Sequence, residues 1–116
     1  MKHKIVSRIQ DGPFRYQAWP TVAKAKDGTL FLGVAGHRQG HFCPFGKNYM
    51  FKSYDDAKSW EGPIIVNDSP FDDRDAGIVP LGDNCATPVS ADARGTKITA
   101  AASATTAAVL IKIFLI

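Results

Sequence analysis

The octamer Ser53-Tyr54-Asp55-Asp56-Ala57-Lys58-Ser59-Trp60 constrains the fold more than any other stretch of the chain. A tight turn between two strands leaves backbone N–H groups pointing into the loop, and a carboxylate as short as that of Asp55 can accept them. Ser53 and Ser59 place a hydroxyl on either side of it. Trp60 opens the outgoing strand, where its ring can pack against the hairpin and its N–H can meet a polar partner. The plainer reading of the same residues is an ordinary polar turn followed by a strand aromatic.

The surroundings favour the hairpin. From Phe14 onward, short β-type runs alternate with turn signals: Thr21-Val22-Ala23, then Lys26-Asp27-Gly28, then Thr29-Leu30-Phe31-Leu32-Gly33-Val34. An Asp-Gly pair between apolar runs is a strong hairpin signal. A Gly-rich loop follows from Gly36 to His41, then Cys43-Pro44-Phe45-Gly46. Asn48 to Lys52 makes a third strand and Gly62 to Val66 a fourth. Residues 14–66 are therefore predicted to form one antiparallel four-stranded sheet with Asp55 in the turn between its third and fourth strands. A second unit starts after it. Pro20–Gly28 lines up with Ala76–Asn84, fifty-six positions later, and each ends in Asp followed by Gly or Asn.

Past Asn84 the pattern fails. An apolar strand like Thr29–Leu32 is expected, yet the chain gives Cys85-Ala86-Thr87-Pro88, then an Ala/Thr-rich stretch (Thr96 to Ala108) and an apolar end (Val109 to Ile116). Residues 84–116 are accordingly read as an irregular, aberrant or frame-shifted tail, and residues 1–13 as an N-terminal extension. The apolar end is short and interrupted by Lys112, so it falls below the ~20 residues of a membrane span.

Composition narrows the function classes. At 116 residues there is room for one modest domain with a real core. The net charge is +3, but the basic residues are scattered without interleaved aromatics, so no nucleic-acid surface is expected. Cys43 and Cys85 have no C-x-x-C spacing, give no disulfide framework and suit a reducing compartment. Met1 to Asp11 has no apolar h-region, so no signal peptide is read and a cytoplasmic location is expected. His37, His41 and Cys43 match no common zinc spacing and supply only three groups; no metal is expected. No nucleophile elbow, Walker loop or dinucleotide fingerprint is present.

Three pieces of the chain resemble the sialidase (neuraminidase) superfamily, specifically its BNR/Asp-box propellers. They are Tyr16–Val22 with Asp27-Gly28-Thr29-Leu30, the octamer Ser53–Trp60, and Asp72-Asp73-Arg74-Asp75-Ala76-Gly77. In the octamer Ser53, Asp55, Ser59 and Trp60 fit the Asp-box Ser-x-Asp-x-Gly-x-Thr-Trp, with Ala57 in place of its Gly. That Gly takes positive φ at little cost, so the resemblance implies that Ala57 carries strain on the order of 1 kcal/mol or shifts the turn type. The resemblance covers about Phe14 to Asp83, and the offset of the second unit is near the ~40–50 residues of propeller repeats plus a loop insertion. It implies an all-β fold: one to two antiparallel four-stranded blades, incomplete, of a sialidase-type six-bladed β-propeller in residues 14–83.

The resemblance also implies an activity, release of terminal sialic acid from glycoconjugates, with no metal or other cofactor. Family chemistry uses three arginines on the sugar carboxylate, an Asp acid/base, and a Tyr nucleophile activated by a Glu. A guanidinium fork binds a carboxylate bidentately, and tyrosine is a known exception among glycosidase nucleophiles. The family's first arginine precedes a proline by two residues; here Pro20 has Ala18 at that place, and Arg15 lies further upstream. Under the repeat alignment Arg74 falls where Ala18 falls. Arg38 and Arg74 are thus the implied substrate-binding residues, and Asp73 and Asp75 the implied catalytic ones. The segment where the family's acid/base usually lies, Gly36 to Lys52, holds no Asp or Glu. The Tyr/Glu pair would belong to blades downstream. The implied function is therefore that of a fragment of a sialidase-like glycoside hydrolase, inactive as this chain, with a sialic-acid-containing or related glycan as partner. The alternative is a non-catalytic glycan-binding or structural Asp-box module. Asp72–Asp75 also reads as a solvated turn with local ion pairs, but exposed pairs contribute only ~0–1 kcal/mol, and placement at a strand start favours a functional rim.

Overall fold

The computed structural model describes residues 4–81, 86–92 and 97–99. All regular structure among them is strand: β1 (Tyr16–Lys24), β2 (Leu30–Arg38), β3 (Lys47–Ser53), β4 (Glu61–Asn67), β5 (Asp73–Pro80), β6 (Ala86–Asp92) and β7 (Lys97–Thr99). Two antiparallel sheets result, a four-stranded one in the order β1-β2-β3-β4 and a three-stranded one in the order β5-β6-β7.

The turn chemistry explains the first sheet. At the β1–β2 connection the Asp27 carboxylate accepts the Thr29 N–H at 2.9 Å and the Thr29 hydroxyl at 3.0 Å. Gly28 takes φ 93°, a conformation a side chain would disfavour. Strand alternation then divides the apolar residues between two faces. One face carries Ala25, Phe31 and Met50, closed over by Ile78 of β5. The other carries Val34, Tyr49 and Phe51, with Val6, Leu32 and Trp60 packed beside them. Gly33 lets the sheets approach, since a Cβ there would lie 3.2 Å from Ile78 Cδ1. Ile78 is 8% exposed, and hiding such a side chain contributes about 2 kcal/mol.

The two sheets begin with the same bulged hairpin. In β1 the register slips between Ala18 and Thr21, and in β5 between Arg74 and Gly77. The pairs Ala18–Ala35, Thr21–Gly33, Val22–Leu32, Ala23–Phe31 and Lys24–Leu30 recur fifty-six positions later. There they are Arg74–Ala91, Gly77–Val89, Ile78–Pro88, Val79–Thr87 and Pro80–Ala86. The residue inside each bulge is left-handed: Trp19 at φ 52° and Asp75 at φ 55°. The offset read from Pro20–Gly28 and Ala76–Asn84 thus extends into backbone pairing.

One expectation is corrected. Strand structure does not stop near Asn84, because β6 and β7 lie within residues 84–116. The apolar pattern was a poor guide there, since β6 is held by its ladder to β5 rather than announced by its own side chains. Among the described residues β7 pairs with Val89 to Ala91, and Pro88 has β5 as its neighbouring strand. The Ala/Thr-rich and apolar end of the expected tail falls outside the described residues.

Candidate functional site

Two constellations emerge at opposite ends of β2, whose Leu30 pairs with Ser53 and whose Gly36 pairs with Lys47. At the Ser53 end lies the octamer turn. Asp55 Oδ1 accepts the Ser59 N–H at 2.8 Å and the Ser53 hydroxyl at 2.9 Å, while Oδ2 accepts the Ser59 hydroxyl at 2.5 Å. Ser53 Oγ in turn accepts the Ala57 N–H at 3.0 Å. The Ser59 hydroxyl, followed by its N–H, holds the Asp55 carboxyl down at about 2 against an ordinary 3.8. Ala57 adopts φ 65° and Asp56 φ 56°, so the expected positive φ at Ala57 is present. Trp60 packs on the Val34, Tyr49 and Phe51 cluster as expected. Its Nε1 differs from expectation: it is buried with no hydrogen-bond partner among the described residues. The ring lies in a mostly apolar groove, where no acceptor among the described residues reaches its N–H.

At the Arg38 end lies a charged and aromatic rim. Arg38 is fully enclosed, at 0% exposure. Its Nη1 lies 2.6 Å from Asp72 Oδ1 and donates to the Asp73 carbonyl at 2.9 Å, and its Nη2 donates to the His41 carbonyl at 2.7 Å. Its face lies over the Trp19 ring at 5.2 Å. The guanidinium expected to meet a sugar therefore stitches β2 to the following loop and to β5. Asp72 also pairs with Arg74 through Oδ2 and accepts the Cys43 N–H at 3.3 Å. Burial pushes the Asp72 carboxyl up, but hydrogen bonding from Arg38, the Cys43 N–H and Arg74 outweighs it, so the net shift is downward. Gly46 makes this possible, because a Cβ there would sit 2.2 Å from Arg38 Nη1 and 2.6 Å from Asp72 Oδ1.

The implied catalytic pair is divided. Asp73 is fully buried, with Oδ2 accepting the Ser69 N–H and Oδ1 the Ser69 hydroxyl, each at 2.7 Å. That is the geometry of a turn carboxylate, closed to a ligand. Arg74 and Asp75 remain half-buried at the rim. Arg74 Nε is buried without a partner among the described residues, and the guanidinium lies 4.8 Å from the centre of the exposed Phe42 ring. Around it the rings form a chain: Tyr16 to Trp19 at 6.4 Å, Trp19 to His41 at 5.1 Å, and His41 to Phe42 at 4.6 Å. A cation beside exposed ring faces is suited to an anionic ligand with an apolar face.

Sequence reading missed Gly46, Trp19, His41 and Phe42 as parts of this rim. The available signal was Phe42 and Phe45, large rings in a Gly- and His-rich loop; they prove 77% and 57% exposed. Among the described residues no group of three or more His, Cys, Asp or Glu is placed to hold a metal ion, and no helix is long and apolar enough to cross a membrane. No family model matches the chain, and neither curated proteins nor solved structures give a match.

Proposed function

We propose that these residues form part of a sialidase-type β-propeller whose rim binds a sialic-acid-containing or related glycan, and that the 116 residues alone turn over no sialoside. The observation that carries this reading is the Asp55 turn. One carboxylate takes both hydroxyls and a backbone N–H across a β3–β4 hairpin, as the Ser-x-Asp pattern of an Asp-box requires. The repeated bulged hairpin supports it, since sheets built alike and packed in succession are the plan of a propeller. Arg74 supplies a fork for the sugar carboxylate, and the Trp19, His41 and Phe42 rings offer apolar faces to its C–H groups. Turnover needs a nucleophile and its base, a Tyr/Glu pair that the resemblance assigns to blades downstream of these residues.

The enclosure of Arg38 and Asp73 favours the second reading, a non-catalytic glycan-binding or structural module. Titration of the full chain with sialyllactose, followed by NMR, tests both against lactose as control. The expected result is selective perturbation of Trp19, His41 and Phe42 by the sialylated sugar, weakened about tenfold by Arg74→Lys. An equal response to lactose would sink the sialic-acid reading and leave a non-catalytic glycan-binding module, and no response to either sugar would leave the structural module. Release of a fluorogenic aglycone from a sialoside by the chain would overturn the statement that it is inactive.

A further inference from the structure

We propose that the open groove on the outer face of the first sheet is the docking site of a second copy of this chain, seated head to tail. The groove holds about 400 Å³ and is lined by Val22, Leu32, Val34, Phe51 and Trp60, with Val6 along one side. Val22 is 60% exposed at its mouth. Ile65 of β4, paired with Tyr49 on the same face, is 54% exposed, so the apolar groove is flanked by open aliphatic side chains on both outer strands.

The occupant follows from an interface the chain already contains. Ile78 holds the same place in β5 that Val22 holds in β1, for Val22 pairs with Leu32 and Ile78 with Pro88 in hairpins of identical register. Ile78 is 8% exposed because it enters the first sheet at Gly33, among Ala25, Phe31 and Met50. Within the second sheet, this position of the leading strand faces the sheet before it. Val22 faces the opposite side of the first sheet from Ile78, where the described residues include no preceding sheet. Repeating the contact one step back lays another sheet of the same kind over Val22, as in arrays where each repeat contacts its neighbours alike.

A second copy supplies that sheet through its β5–β7 unit. The contact joins two different surfaces, so it is heterologous and either closes into a ring or extends. Aligned sheets pack ~10 Å apart with side chains interdigitating, which the apolar lining and the Val22 knob allow. The proposal does not depend on the rim binding a glycan.

Sedimentation velocity of the full chain, over about two decades of concentration around 1 µM–100 µM, provides the test. The expected result is a concentration-dependent species heavier than the 12.6 kDa monomer. Val22→Asp should raise the dissociation constant at least about tenfold, with an unchanged far-UV strand signature, and the milder Val22→Thr should do so to a smaller extent. Ile64→Asp, on the edge strand β4 but paired with Met50 on the opposite face of the sheet, should leave association intact. A monomer at every concentration would overturn the proposal. So would association that survives both Val22 variants, or association lost with Ile64→Asp alone, which would reveal pairing through the β4 edge or the opposite face.

Discussion

Trp19 and Asp75 occupy the same left-handed bulge position in the leading strands of successive sheets, at φ 52° and 55°. Neither residue type suits that conformation as glycine does. Bulges re-aim side chains and persist where the surrounding pairing over-determines them. Here the pairing is shared by both hairpins, and in the first of them the bulge brings the Trp19 ring beneath Arg38 and beside His41.

Gly46→Ala is expected to destabilise the chain by about 2–3 kcal/mol, because its Cβ would displace the buried Arg38–Asp72 pair from both sides. Urea unfolding followed by tryptophan fluorescence would check it. A midpoint within error of the parent would mean the loop relaxes freely.

Ala57→Gly should stabilise by about 0.5–1 kcal/mol, since it relieves a φ of 65° at a position where the side chain makes the strain. Thermal melts decide the sign. A clear loss of stability would show that Ala57 packs more usefully than it strains.

The two rim arginines should separate by readout. Arg38→Lys loses a fork engaged with Asp72 and backbone carbonyls in a fully enclosed site, and should cost about 2–3 kcal/mol of stability. Arg74→Lys should leave the melting curve nearly unchanged and act on ligand binding instead. If Arg74→Lys proves the more destabilising, the assignment of the two arginines is reversed.

Acid should weaken the octamer turn over a defined window. The folded-state value of Asp55 lies below its unfolded value, so its contribution is complete above about pH 4 and disappears as pH falls through about 2. Asp72, also shifted downward, adds to the same acid limb. Asp55→Asn should lower the melting temperature at neutral pH and flatten its decline between pH 4 and pH 2, without abolishing it. Parallel pH profiles for parent and variant would contradict the hydrogen-bond account of the turn.

How much of this was legible varies with the range of the interaction. Asp27-Gly28 and Ser53–Trp60 announce their turns because donor and acceptor lie within a few positions, and the first sheet followed from them. The fifty-six-residue offset was visible in the leading strands alone. The fate of Arg38 was not, because its partners arrive from Asp72 and Asp73, and no local pattern distinguishes a buried arginine from a ligand-facing one. Asp73 misled differently: its partner Ser69 lies only four positions away, but the repeat alignment drew Asp73 to the rim instead of to that turn. Strand β6 was hidden because its register comes from β5. The left-handed Trp19 carried no compositional mark whatever.

The Arg38 contacts also say where one module ends. The guanidinium of the second strand reaches a carbonyl 35 positions further on, past the whole of the first sheet. The unit that completes its own charges is therefore longer than the unit that completes its own ladder: it runs from β1 through the lead-in to β5. Cutting the chain after Asn67 would leave all four strands and the octamer turn, but strand an enclosed cation without its carboxylate. Such a piece should expose Trp19 to quenching and open readily near Arg38 in hydrogen exchange, whereas a cut after Pro80 should not. Duplication of this repeat, or exchange of one copy for another, would have to respect that overlapping boundary rather than the visible edge of the sheet.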